Sequence, residues 1–147
     1  MAFFTSEYEC KLDTKGRLAL PSKVKVNLPE VSTNELVIRK GFEPHLILYP
    51  MLEYKKIHHK ISSLSEFNAE QRKLKRNFFR SIAHVEMDSA GRILFPKNML
   101  AHARIEHEAM VVGMGNYLEI WNPAVFEEYS IDDEQEYSDL AQKYLDE

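Results

Sequence analysis

LDTKGRLALP, spanning Leu12–Pro21, returns 75 residues later as MDSAGRILFP, Met87–Pro96, with Asp, Gly, Arg and Pro in the same places. Tyr8, Cys10 and Leu12 lead into the first copy alternating with Glu9 and Lys11, and Leu18 and Leu20 resume the alternation after it. Ala83, Val85 and Met87, then Ile93 and Phe95, do the same around the second. A period of two is that of a half-buried strand, so each copy reads as a hairpin. In Asp13-Thr14-Lys15-Gly16 the Asp can accept a hydrogen bond from a backbone N–H two residues on, and Gly in fourth place suits a type I turn with a following bulge. Asp88-Ser89-Ala90-Gly91 obeys the same logic. Asp13, Gly16, Asp88 and Gly91 are therefore the turn formers, and Arg17 and Arg92 leave each turn at a fixed point.

The likeness continues outward. Each Pro is followed by a short polar-apolar stretch, SKVKVN (22–27) or KNMLAH (97–102), where Pro suits a helix start. NELVIRKGFEPHLILYP (34–50) then parallels HEAMVVGMGNYLEIWNP (107–123) as a second strand pair, and the offset drifts from 75 at Asp13/Asp88 to 72 at Leu46/Leu118. The expected organisation is a first repeat over 7–53, a helical connection over 54–80, a second repeat over 81–124, and a C-terminal helix with an acidic tail over 125–147. In the connection, Met51, Leu52, Tyr54, Ile57, Ile61 and Leu64 have near-helical spacing, and a second helix capped by Asn68 carries Arg72, Lys73, Lys75, Arg76 and Arg80. After Pro123 a helix is expected to fade into a mobile acidic tail.

A chain of 147 residues with 44% hydrophobic and 29% charged content is that of an ordinary globular protein, and a repeat within one such unit implies pseudo-symmetric halves. Cys10 is alone, so no intramolecular disulfide forms; MAFFTSEYE lacks a signal-peptide pattern, and no apolar run spans a bilayer. A cytoplasmic setting is expected. The net charge of −4 is unevenly spread: residues 1–83 hold 15 Lys+Arg and 9 Asp+Glu, hence +6, whereas 84–147 hold 4 and 14, hence −10. A polyanion responds to local potential, so a basic binding face beside an acidic tail is compatible with the sum.

A guanidinium at such a turn can hold phosphate oxygens, or guanine O6 and N7 if a two-stranded ribbon enters a major groove; Lys15 adds a point charge at the same tip. The alternative is that Arg17 and Arg92 pair with Asp13 and Asp88 and only brace the turns. The Arg72–Arg80 cluster reads either as a line of phosphate contacts on that same surface or as the wet face of a helix. Enzymatic patterns are missing. His45, His58, His59, His84, His102 and His107 have no metal-site spacing and are expected to be surface or satisfied polar residues. Gly113-Met114-Gly115-Asn116 lacks the Lys-Ser/Thr of a P-loop and reads as a hairpin turn, and no nucleophile elbow is present. Tyr49 and Trp121 end apolar runs, where packing is favoured over base stacking. No catalytic residue, metal or cofactor is expected.

LDTKGRLALP, LILYP, EQRKLKR, MDSAGRILFP and VVGMGNYLEIW, in this order between Tyr8 and Trp121, together resemble the MraZ family of bacterial transcriptional regulators. The resemblance implies a sheet-rich α+β fold, a pseudo-two-fold swapped-hairpin barrel built from two tandem AbrB-like (SpoVT-AbrB) repeats. It implies a ring-shaped homo-oligomer that binds double-stranded DNA at short direct repeats in the promoter of its own cell-division and cell-wall operon and represses it, in the cytoplasm on the nucleoid. The family's DNA-contacting residues fall on Lys15, Arg17 and Arg92. Ala90 stands where the first copy has Lys15, which leaves the second turn with less charge, and Ser6 stands where many members have glycine. From another class, an AbrB-like interaction module such as an antitoxin would need only one copy and a tail. A small hydrolase using Asp13 and Asp88 has no supporting constellation.

Overall fold

The computed structural model describes residues 3–29 and 34–145; residues 30–33 of the expected first repeat and 146–147 of the expected tail lie outside the described residues. The first half runs β1 (Glu7–Lys11), β2 (Arg17–Ala19), α1 (Ser22–Lys25), β3 (Glu35–Lys40) and β4 (Leu46–Pro50). Two helices follow, α2 (Met51–Ser62) and α3 (Ala69–Arg80). The second half repeats the order as β5 (Ile82–Glu86), β6 (Arg92–Leu94), α4 (Lys97–His102), β7 (Glu108–Gly113) and β8 (Leu118–Trp121), and α5 (Pro123–Tyr129) and α6 (Glu134–Leu145) close the chain.

The strands on either side of each Asp-Gly turn do not stay together as a simple hairpin. β1 pairs with β7 of the other half and β5 pairs with β3, while β2 and β6 pair with each other as a separate ribbon. Among the described residues, β1 and β2 are linked by an isolated bridge between Leu12 and Leu18. The result is a six-stranded antiparallel sheet in the order β1-β7-β8-β4-β3-β5, which reads the same from both ends when the halves are exchanged. The six-stranded sheet and the β2–β6 ribbon are two ladders packed over one core.

Pleating sorts the apolar side chains. On one face Leu36, Ile38, Leu46, Leu48, Ala109, Val111, Leu118 and Ile120 meet Leu18 and Ile93 of the ribbon, with Val24 of α1 and Met99 of α4. On the other face Val37, Ile47 and Tyr49 meet Tyr54 of α2 and Phe78 of α3, and Met110 and Trp121 meet Val125 of α5. The sheet is thus covered on both sides, which is why LILYP is apolar throughout instead of alternating. Full burial of side chains such as Leu18 and Ile93 stabilises by about 1.5–3 kcal/mol each.

Two expectations are corrected here. The acidic C-terminus forms a second helix, α6, instead of fading into a tail: Asp133 accepts from the Gln135 N–H at 3.1 Å, Glu134 and Glu136 occupy the first turn, and Gln135 donates to Asp139 at 2.8 Å. None of its residues is buried. His45 is neither a surface nor a satisfied residue: it is 3% exposed, stacks on Trp121 with ring centroids 4.5 Å apart, and among the described residues neither ring nitrogen has a hydrogen-bond partner. Glu119 Oε2 stands 3.4 Å from Nε2 without hydrogen-bonding geometry. His45 is in phase with Ile47 and Tyr49 along the strand, so its burial was written in the alternation.

Burial, opposed by Glu43 and reinforced by Arg39 and His102, pulls the His45 imidazole down to about 4. The native state therefore keeps it neutral, while the unfolded chain takes up a proton below the ordinary value of about 6.5. Stability falls as pH drops from about 6.5 to about 4, by up to about 3 kcal/mol. Urea unfolding over this window will show the slope, and His45→Phe, which keeps the stack on Trp121, will flatten it. At the sheet end, the segment from Phe4 to Ser6 crosses directly over Gly113, and a Cβ there would drive into the backbone of Thr5 and Phe4. Gly113→Ala will cost about 2 kcal/mol or more in the same assay, because backbone must move to admit the methyl.

Candidate nucleic-acid interface

The ribbon positions both arginines. Its register sets Arg17 opposite Leu94, Leu18 opposite Ile93 and Ala19 opposite Arg92. Since Leu18 and Ile93 are wholly buried, Arg17, Ala19, Arg92 and Leu94 share the outer face. The two turns sit at opposite ends of this ribbon, where Leu20 N donates to Gly91 O and Phe95 N to Gly16 O, both at 3.1 Å. From Gly16 at one end to Leu20 at the other the chain advances four steps, roughly 13 Å.

Each turn is built by its aspartate. Asp13 Oδ1 accepts the Lys15 and Arg17 backbone N–H groups, each at 2.9 Å, and Oδ2 takes the Arg17 Nε at 2.6 Å. Asp88 repeats this with Ala90 N at 2.9 Å, Arg92 N at 2.8 Å and Arg92 Nε at 2.9 Å. Gly16 and Gly91 adopt φ of 85° and 77°, a region that a Cβ disfavours. The backbone N–H of Arg17, more than any other group, holds the Asp13 carboxyl down at about 2, and that of Arg92 lowers Asp88 likewise. Both carboxylates are thus ionised at any physiological pH.

Bracing and binding turn out not to exclude each other. Asp takes only the Nε edge of each guanidinium, and among the described residues the Nη1 and Nη2 groups of Arg17 and Arg92 have no protein hydrogen-bond partner. Both side chains remain about a third exposed, at 30% and 38%. An anchored arginine with its terminal nitrogens turned to solvent is preorganised for an anion or a base edge.

The basic cluster of α3 does not join this surface. Phe78 seats α3 on the face of the sheet opposite the ribbon, so Arg72, Lys73, Lys75, Arg76 and Arg80 lie away from both turns. Arg72 Nη1 donates to Glu66 O at 2.8 Å and Lys75 Nζ to Ser62 O at 3.4 Å, bonds that brace the α2–α3 connection. Tyr49 packs against Tyr54 and Tyr117, and Trp121 against His45, Phe126 and Tyr129, inside the fold. Gly113–Asn116 form the turn between β7 and β8, closed by Met114 N to Tyr117 O at 2.9 Å. Among the described residues no three His, Cys, Asp or Glu side chains gather as a metal site, and no helix is long and apolar enough to cross a membrane.

One cation at the ribbon escaped the sequence reading. Lys25, in α1, lays its side chain over Gly91 at the second turn. Its counterpart at the same offset is Leu100, which lies over Gly16 at the first. Comparing the stretches after each Pro position by position, Lys25 against Leu100, is the signal that marks it.

The sequence matches the MraZ family ("MraZ protein, putative antitoxin-like") twice, over residues 3–77 and 78–146. A Transcriptional regulator MraZ of Cytophaga hutchinsonii is 48% identical over 145 residues, covering 99% of this chain and 96% of that protein. The chain belongs to the MraZ family. The Transcriptional regulator MraZ of Alkaliphilus oremlandii is similar at 35% identity, covering 95% of each chain, and that of Pediococcus pentosaceus at 34%, covering 97% of each. These MraZ relatives are named as regulators of transcription, and the family is not one of enzymes. Ser6 has φ of 69°, so this MraZ chain keeps at that position a left-handed backbone that suits the glycine the resemblance led one to expect.

Removal of either turn carboxylate, by Asp13→Ala or Asp88→Ala, will lower the urea midpoint at neutral pH, because each deletes the acceptor of two backbone N–H groups and of an arginine Nε. The folded Asp13 carboxyl lies below its unfolded value of 3.8, so its contribution is full above that value and is lost as pH falls through about 2.

Proposed function

We propose that this chain is a sequence-specific, double-stranded-DNA-binding regulator that represses its own cell-division and cell-wall operon by engaging short direct repeats in the promoter. The observation that carries this is the ribbon with an aspartate-anchored arginine at each end and their terminal nitrogens facing out. A two-stranded ribbon fits a B-DNA major groove about 12 Å wide. In this reading Arg17 and Arg92 take guanine edges or phosphates, and Lys15 takes a phosphate. The α3 cations, on the far face, add to the field that attracts DNA without touching the duplex held by the ribbon.

Two short tips bind weakly, and a ring-shaped homo-oligomer is the assembly in which they suffice. Head-to-tail contacts between unlike halves close into rings, and repeated boxes engage several subunits, each later contact being effectively intramolecular. The expected repeats 7–53 and 81–124 then act as a built-in dimer, in the cytoplasm on the nucleoid, with the acidic C-terminal helices turned from the DNA.

The test is a gel shift on DNA immediately upstream of the coding region, at two salt concentrations. Wild type will bind with affinity falling steeply as salt rises, and folded Arg17→Ala will bind about tenfold more weakly or worse. Undiminished binding by that variant removes Arg17 from the interface. The antitoxin-like reading gains from the exposed Tyr137, Leu140 and Tyr144 along α6; a stoichiometric protein partner with no gel shift would establish it instead.

A further inference from the structure

We infer that Lys25 is the lysine of the second turn, so that Lys25 and Arg92 form a second phosphate-binding tip equivalent to the one made by Lys15 and Arg17. This inference rests on the DNA-binding function proposed above. The second turn has Ala90 where the first has Lys15, and on sequence it is the poorer tip by one charge. The fold returns that charge from another element. A Cβ built on Gly91 would lie 2.7 Å from Lys25 Nζ, 3.0 Å from its Cδ and 3.3 Å from its Cε. The ammonium and its stem therefore rest on the bare glycine itself.

The first turn shows the socket in its other form. There Leu100 Cδ1 is 3.4 Å from the Cβ position of Gly16, and Leu100 packs on the core. Leu100 and Lys25 are equivalent by the same 75-residue offset that relates Asp13 to Asp88. The exchange is reciprocal: Lys15 within the turn goes with Leu100 beneath it, and Ala90 within the turn goes with Lys25 beneath it. Each tip thereby holds one arginine, one lysine and one carboxylate.

A half-buried stem suits Lys25 to this task. The stem and ammonium are already held against Gly91, so less side-chain freedom is lost when a phosphate is met. Among the described residues Lys25 makes no ion pair. A contact of this type is indifferent to base sequence and sets position and register.

The experiment uses the full chain and a duplex from immediately upstream of the coding region, with a scrambled duplex of equal length, titrated across salt. Lys25→Leu installs the residue found at the equivalent place, and Lys25→Gln covers the case in which leucine lowers the melting temperature. With melting unchanged, the variant will bind both duplexes several-fold more weakly, and the slope of log affinity against log salt will shrink by about one for each second tip engaged. Adding Ala90→Lys, which places the lysine within the turn as in the first copy, will restore the slope. An unchanged slope in the single variants, or no restoration by Ala90→Lys, overturns the role of Lys25. Failure of wild type to bind either duplex overturns the DNA-binding function itself, and Arg17→Ala run alongside separates the two results.

Discussion

The exchange of first strands between the halves is the constraint on which the structure depends. β1 completes the sheet of the second half through five residue pairs with β7, and β5 completes that of the first through five with β3. Neither half can satisfy its own edge, because the backbone groups of β3 and β7 find their outer partners only across the molecule. The exchange also forces β2 and β6 together. Once β1 and β5 have left for opposite ends of the sheet, the short strands after the turns are carried across its middle, where Leu18 and Ile93 seal the core.

From this follows the division of labour between the two faces. The ribbon side holds the aspartate-anchored turns; the helical side holds α2, α3 and α5, with buried aromatics and the uncharged His45. Charge density along the chain had suggested one basic surface. The fold distributes it over two, since the α2–α3 pair is inserted between β4 and β5 and must cover the face that the ribbon leaves open.

Much of this was legible in the residues. Alternation and the Asp-Gly pairs located the strands that flank each turn, and the parallel between 34–50 and 107–123 located the second pair in each half. Asn68 caps α3 by accepting from the Gln71 N–H at 3.0 Å, as its place in the sequence indicated. What escaped was set by partners distant along the chain. A hairpin pattern carries the turn but not the identity of the strand that pairs with each arm, so β1 and β2 looked like neighbours. The helical period of α3 shows that one side is apolar, not which face of a sheet it meets. The acidic run after Tyr129 has low apolar content, which argued for a tail; capping and first-turn carboxylates instead favour helix locally. Lys25 passed within the polar-apolar stretch SKVKVN because its value lies in a glycine 66 positions away.

The pseudo-two-fold axis through the ribbon is broken at its two ends, where equal charge is delivered by unlike elements. A strictly symmetric molecule presents the same face to a duplex whichever way it is turned, and so is suited to palindromes. Here Lys15 rides on the turn itself and Lys25 on a helix beneath it, so lysine and arginine come from one element at the first end and from two at the second. The ribbon consequently has a head and a tail. The two ends of one chain are thereby distinguishable, and a ligand with a direction along its axis can be held in one orientation and not the other.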